Sequence, residues 1–263
     1  QESLISLRSP VLTGSGACGS FLILEDSLPI RPAGFCNVNN LFEVSSNLAS
    51  RIEVLKGPSS ARFGGNALHG AINFKTLNID EKNYLKTEVN NDESFKSSFQ
   101  YQEDSSWTLG LSLNKDKGFR EATGFDQQKL AFKAFSEVDD WEAQTFINLT
   151  NLNQETAGYI NSYKTSSRLS NLNPEAYRDA KSLRLNSLLS KNKGDFSLQL
   201  RPYARHSKMK FIQHYLPGKP IEKNSQISYG LNFVTDVNSF NQHELSFGLN
   251  FELAKIELEE FQP

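Results

Sequence analysis

The sequence predicts an all-β dominated chain: a long antiparallel sheet whose strands have one apolar and one polar face, preceded by a small α+β segment. Three observations predict it. From about residue 79 onward, apolar and polar residues alternate over long stretches, and a period of two is the signature of a strand with two unlike faces. The connections between these stretches alternate in length. Before residue 78 the composition differs, with Gly, Pro and short apolar clusters.

In chain order, Ile23–Ile30 (ILEDSLPI) reads as a strand and turn. Ile52, Val54 and Leu55 supply a buried strand, with Arg51 and Glu53 alternating off its apolar face. Gly57-Pro58 turns the chain, since Pro fixes φ and Gly tolerates positive φ. Ser59-Ser60-Ala61 begins a short helical turn with a Ser cap, and Gly64-Gly65 allows close backbone packing.

About nine strands follow. Two weaker segments are Tyr84–Asn90 and Gln128–Val138. In the others the alternation is clear. Phe95, Phe99 and Tyr101 oppose Lys96, Ser98 and Gln100, and Trp107, Leu109, Leu111 and Leu113 oppose Thr108, Gly110, Ser112 and Asn114. Trp141, Ala143, Ile147 and Leu149 oppose Glu142, Gln144 and Asn148. Leu183, Leu185 and Leu189 oppose Arg184, Asn186 and Ser190, and Phe196, Leu198 and Leu200 oppose Ser197, Gln199, Arg201 and Arg205. Ile227, Tyr229, Leu231 and Phe233 oppose Ser228, Gly230 and Asn232, and Leu245, Phe247, Leu249 and Phe251 oppose Glu244, Ser246 and Asn250.

The connections are tight at 91–93, 103–106, 139–140, 192–194 and 236–241, and long at 115–127, 151–181 and 207–224. After the first hairpin, short and long alternate. Outer-membrane barrels have short turns on one side of the membrane and long loops on the other. The nearly uncharged apolar face suits lipid, and the Lys-, Arg-, Glu- and Asn-bearing face suits a water-filled lumen. Alternating strands also build soluble sheets with one wet face, so the pattern alone leaves both architectures open.

Composition excludes some classes. The net charge is -2, without the basic surplus of a nucleic-acid reader. No apolar run approaches the roughly 18 residues of a membrane-spanning helix, which says nothing against a barrel. No two of the four histidines (His69, His206, His214, His243) stand at a metal-ligand spacing. Nucleophile-elbow, phosphate-loop and dinucleotide fingerprints are absent from the sequence, so no catalytic residue and no cofactor is expected. Acidic residues are scattered, which speaks against a soluble carbohydrate-active enzyme with paired carboxylates. Cys18 and Cys36 form no C-x-x-C pair, and on spacing alone either two free thiols or one disulfide fits. Gln1 reads as a position inside a longer chain.

Residues Arg51–Thr76 read RIEVLKGPSSARFGGNALHGAINFKT. This series resembles the end of the plug domain in TonB-dependent outer-membrane receptors: an R-I-E-V strand, a basic-G-P turn, an aromatic-Gly pair, a Gly-rich turn and a strand ending in I-N. Here these are Arg51 to Val54, Lys56-Gly57-Pro58, Phe63-Gly64, Gly70 and Ile72-Asn73. Asp26 and Pro29 match the family's upstream turn, with Ser27 where Gly is usual, so a different turn type is open there. His69 stands where a small residue is common.

The resemblance implies a plug domain at 1–78 (its C-terminal part) and, at 79–263, the first strands of a transmembrane antiparallel β-barrel, about nine of the 22 such transporters use. Arg51, Glu53, Gly57, Pro58, Gly64, Gly70 and Asn73 are then plug residues with structural roles, Arg51 and Glu53 facing the barrel wall. It implies a transporter and not an enzyme, placed in the bacterial outer membrane. TonB energises it through a box that precedes the plug and is not recognisable here. It imports a scarce cargo, first an iron–siderophore complex; cobalamin, haem or oligosaccharide stay open, as does a non-transporting barrel or adhesin. The envelope setting favours a Cys18–Cys36 disulfide. Arg31 and Phe35 near the plug apex, and Tyr159, Tyr163 and Arg168 in the longest loop, are candidate cargo contacts. Arg201, Arg205, Lys208 and Lys210 beside Phe211 and Tyr215 suit an anionic ferric chelate, or a solvated loop with interfacial aromatics.

Overall fold

The computed structural model describes residues 21–33, 35, 38–59, 63, 67–77, 82–91, 93–104, 106–156, 170–240 and 243–262, with side chains left out at 38–40, 238–240 and 243–244. They form two sheets. The first has strands β1 (Phe21–Glu25), β2 (Leu28–Pro29), β3 (Ala49–Lys56) and β4 (Gly70–Thr76), in the order β2-β1-β4-β3. β1 runs parallel to β4, and β3 antiparallel to it. Phe21, Ile23, Ile30, Val44 and Ile72 form its core, with Leu41 and Phe74 packed alongside.

Two local features explain this sheet. The turn between β1 and β2 places Asp26 at φ 48° and Ser27 at φ 68°, the two positive values of a tight type I′ hairpin turn. Ser27 therefore keeps a backbone geometry that favours Gly, held by its N–H donating to the Asn73 Oδ1 at 2.9 Å. Gly70, at φ 144°, lies so close to β3 that a Cβ there would sit 2.2 Å from the Leu55 carbonyl oxygen. The expected buried strand needs correction. Ile52, Val54 and Leu55 are 52%, 47% and 40% exposed, because β3 is the edge of the sheet and the described wall does not cover it. The helical turn read at Ser59–Ala61 falls largely outside the described residues; the Phe63 N–H donates to the Ser59 carbonyl at 3.1 Å.

The second sheet is the wall, nine antiparallel strands in sequence order. They are β5 (Tyr84–Val89), β6 (Phe95–Glu103), β7 (Trp107–Asp116), β8 (Phe125–Val138), β9 (Trp141–Glu155), β10 (Tyr177–Lys193), β11 (Phe196–Ile212), β12 (Ile221–Phe240) and β13 (His243–Phe261). Each pairs with its neighbour in chain order, as the alternation predicts. The sheet is open, with β5 and β13 as edges.

Strand ends differ from expectation on the long-loop side. The connection read at 207–224 shrinks to 213–220, and that read at 151–181 to 156–176. Lys208, Lys210 and Phe211 are strand residues. The reason is physical: beyond the apolar band the outward face turns polar, so the period-two signal fades while the ladder continues.

The faces separate sharply. Leu183, Leu185, Leu231, Phe247 and Leu249 point outward and are exposed. Thr108, Ser112, Asn148, Arg184, Arg205 and Ser228 point inward and are buried. The polar face expected to line a water-filled lumen is, over much of its area, covered by the plug sheet. No helix among the described residues is long and apolar enough to cross a membrane, which says nothing of a barrel.

Candidate functional site

The polar side chains of the molecule converge where the plug sheet meets the wall. Period-two alternation turns Arg184 of β10 inward, where its side chain is 4% exposed. It meets two plug carboxylates. Its Nη2 lies 2.6 Å from the Glu25 Oε2, and its Nη1 3.0 Å from the Glu43 Oε2. Nη2 also donates to the Glu43 backbone carbonyl at 2.8 Å. The Glu25 Oε1 accepts the Ser45 N–H at 2.9 Å, and the Ser207 hydroxyl donates to Glu43. A guanidinium in this position satisfies both carboxylates with charge-assisted bonds.

Neighbouring strands repeat the device. Arg205 of β11 donates to the carbonyls of Pro29 and Arg31, the latter at 2.7 Å, and to the Ser228 Oγ at 3.0 Å, and pairs with Glu252 of β13. Lys129 of β8 donates to the Val44 carbonyl. Lys133 reaches the carbonyls of Thr76 and Leu77 at 3.3 and 3.2 Å. The Asn47 side-chain amide donates to the Ser112 Oγ at 2.9 Å. Gly110 on β7 leaves room for the plug: a Cβ there would lie 2.6 Å from the Leu77 side chain. The wall thus holds the plug largely by its backbone carbonyls and two carboxylates, with a small apolar contact of Leu48, Leu77 and Ala131.

Burial strains the charges in the plug. It pushes the Glu43 carboxyl up, with Arg184, the Ser207 hydroxyl and Arg31 opposing. It pushes the Arg31 guanidinium down to about 10, with Glu43 opposing. Asp26 is the third buried group. Its Oδ1 and Oδ2 accept the Thr76 N–H, at 3.2 Å, and the Thr76 hydroxyl, and Arg201 of β11 donates to its carbonyl. Burial pushes the Asp26 carboxyl up to about 6, against the pull of Lys133, Thr76 and Lys75. It borders a cleft of 420 Å³ between plug and wall, shared with Lys75, Lys133, Arg201 and Arg51.

The structure places the sequence-predicted residues as follows. Arg51 and Glu53 pair with each other at 2.6 Å on the exposed edge of β3, with side chains 69% and 34% exposed. Asn73 is buried, and its Nδ2 donates to the Glu53 Oε2 at 2.8 Å, so it links β3, β4 and the Ser27 turn. The Gly57 N–H, at φ 106°, donates to the His69 carbonyl at 3.1 Å, closing the β3–β4 connection beside Pro58. Arg31 is buried beside Glu43 and Arg184, not turned to the surface, and Phe35 is half-buried. Arg201 and Arg205 face the plug and not a loop. Gly64, Cys18, Cys36, Tyr159, Tyr163 and Arg168 lie outside the described residues.

Sequence reasoning missed Glu25, Glu43, Lys129 and Arg184 as a set. The available signal was weak: fixed charges at inward strand positions, opposite a segment with its own carboxylates. Among the described residues, no three His, Cys, Asp or Glu side chains gather as a metal-holding group. The arrangement seats the plug sheet against the wall through buried ion pairs and hydrogen bonds.

Residues 6–71 match the family model of the TonB-dependent Receptor Plug Domain. The fold is similar to several solved receptors. One is the receptor of the FpvAI–pyocin S2 complex, at TM-score 0.76 and 12% identity, with 92% of this chain and 36% of that one covered. Another is the ferric yersiniabactin uptake receptor of Yersinia pestis, at TM-score 0.72 and 16% identity, covering 98% and 43%. A third is the ferric-catecholate import receptor Fiu of E. coli in its open form, at TM-score 0.74 and 11% identity, covering 97% and 44%. The chain therefore spans less than half the length of each of these structures. Residues 6–71 thus match a TonB-dependent receptor plug domain by sequence, and the nine-stranded wall that grips the plug is similar in fold to the walls of such receptors.

Proposed function

We propose that the receptor imports a ferric siderophore across the outer membrane, energised through TonB, with the plug at 1–78 as gate and 79–263 as the start of the barrel wall. One observation carries the reading: the plug is held by buried but hydrogen-bonded polar contacts centred on Arg184, Glu25 and Glu43. Such contacts have a direction. A pull that shifts β1 and the segment carrying Glu43 away from β10 exposes both carboxylates to water, which offsets the loss of the ion pairs. A continuous apolar interface would have no such substitute. The receptors it resembles in fold include ones named for ferric yersiniabactin and ferric catecholate, which supports an iron chelate as cargo. Transport on this reading breaks no bond in the cargo.

The test is uptake of radioactive iron, supplied as chemically distinct siderophore complexes, by cells whose only receptor is the full-length protein. Accumulation of at least one complex is expected, and it should vanish when TonB is deleted or the proton-motive force collapsed. Uptake that persists without TonB, or growth rescue by cobalamin, haem or oligosaccharide with no iron complex accepted, sinks the proposal.

A further inference from the structure

The cleft between plug and wall holds positive charge that the docking contacts leave over. Its lining brings together Lys75 of the plug, Lys133 of β8 and Arg201 of β11, with Arg51 at its margin. Two carboxylates stand beside them, and both are occupied. The Glu53 Oε1 accepts from Arg51 at 2.6 Å, and its Oε2 from the Asn73 amide at 2.8 Å. The Asp26 carboxylate accepts the N–H and the hydroxyl of Thr76. Among the described residues, no carboxylate forms an ion pair with Lys75, Lys133 or Arg201. Their hydrogen bonds go to neutral oxygens. Lys75 donates to the Ser27 Oγ at 2.7 Å, Lys133 to the carbonyls of Thr76 and Leu77, and Arg201 to the Asp26 carbonyl. At neutral pH four cations thus face two carboxylates, an excess of two positive charges. Burial pushes the Lys75 ammonium below its ordinary value, with Asp26 and Glu53 opposing and Arg201 and Lys133 adding to the push.

Donors remain for a ligand. An ammonium has three and a guanidinium five, more than these contacts use. Gln144 of β9 lines the same cleft, and its amide has no hydrogen-bond partner among the described residues. The volume, 420 Å³, falls within the range of pockets that take small molecules, about 300–1,000 Å³. The wall residues of the cleft cluster near the tight connections at 139–140 and 194–195, away from the longer ones at 156–176 and 213–220. The cleft therefore lies at the opposite end of the wall from the longer connections.

We propose that this cleft binds the phosphate group of a small soluble molecule, either inorganic phosphate or a phosphate monoester, and that the bound anion straps the plug to the wall. A phosphate carries about 1.5 to 2 negative charges at pH 7, which matches the excess in the cleft. Its oxygens accept from ammonium and guanidinium donors together. Bound there, it bridges Lys75 of the plug to Lys133 and Arg201 of the wall and converts their repulsion into shared hydrogen bonds. A ligand that needs both partners in place favours the seated plug by mass action. On the outer-membrane reading above, the end with tight connections is periplasmic; binding itself does not depend on that reading.

The experiment is calorimetric titration of inorganic phosphate, and separately of glycerol phosphate, into the purified full-length receptor in detergent and phosphate-free buffer. Sodium chloride at matched ionic strength is the comparison. One saturable site is expected, with added hydrogen-exchange protection at the Thr76 and Leu77 amides. Tighter binding of glycerol phosphate assigns a monoester; equal or tighter binding of inorganic phosphate assigns the free ion. Lys133→Gln and Arg201→Gln should each weaken binding about tenfold, and Lys133→Arg should retain it. Gln144→Glu keeps every cation and adds a competing carboxylate to the cleft, so a loss of at least about tenfold is expected there too. Lys191→Gln, on the outward face of the wall, should change nothing. No saturable site, an effect matched by chloride, or unaltered binding in Gln144→Glu overturns the proposal. Where Lys133→Gln or Arg201→Gln unseats the plug, Gln144→Glu decides, because Gln144 makes no hydrogen bond to the plug. Iron uptake by cells measures import independently. A receptor that imports iron but binds no phosphate overturns phosphate binding alone, and one that binds phosphate but imports no iron complex overturns the import reading alone.

Discussion

Arg184 carries the polar contact between plug and wall, and its replacement has a determinate outcome. Arg184→Leu leaves Glu25 and Glu43 buried without their ion-pair partner, with only Arg31 and Lys129 still opposing them, a change that costs about 3–5 kcal/mol. Hydrogen exchange at the β1 amides should rise strongly in the full receptor, while the wall strands stay protected. Adding Glu25→Gln and Glu43→Gln should recover part of the loss, since the two buried carboxylates are then neutral; no recovery contradicts the ion-pair account. Asp26 acts in the opposite sense. Its carboxyl titrates near 6 in the folded plug, above its ordinary 3.8, because of burial. A raised carboxyl contributes stability that is complete below the ordinary value and lost as pH rises through about 6. Plug docking should therefore strengthen as pH falls from 7 to 5. In Asp26→Asn the urea midpoint of the plug signal should vary less over that window than in the wild type.

At the scale of elements, the strands were legible because each residue's face follows from the pleat alone. The alternation at 107–114 gives β7 its faces directly, and the same holds for β9 to β13. The ends were less legible. His206, Lys208 and Lys210 face outward beyond the apolar band, so nothing in their hydropathy marks them as strand. The β3–β4 connection depends on one backbone approach that its Gly-rich sequence foretells. Gly70→Ala would place a Cβ 2.2 Å from the Leu55 carbonyl oxygen at φ 144°. The expected cost is about 2–4 kcal/mol, read as lost exchange protection of the β3 and β4 amides. Gly57→Ala, at φ 106° with nothing within 4 Å, should cost only about 1–2 kcal/mol. An equal effect of the two would show that the close approach at Gly70 is not what matters.

For the whole molecule, the open wall sets the behaviour. The edge β13 exposes Leu245, Phe247, Leu249, Phe251 and Leu253 at 57–62%, and its backbone has one unpaired side. Such an edge recruits other chains. The 263-residue chain expressed by itself should aggregate or require detergent, as size-exclusion chromatography would show; a stable soluble monomer in detergent-free buffer refutes this. By itself the sequence determined the number of wall strands, the assignment of faces, the tight turns and the plug, through local period, turn chemistry and an ordered motif. The tertiary structure alone decided that Arg184 meets Glu25, 159 residues away, that Arg31 is buried, and that β3 lies exposed. The reason is that alternation fixes only which way a side chain points. Whether it then meets water, lipid or a carboxylate depends on how a separately folded sheet seats against the wall.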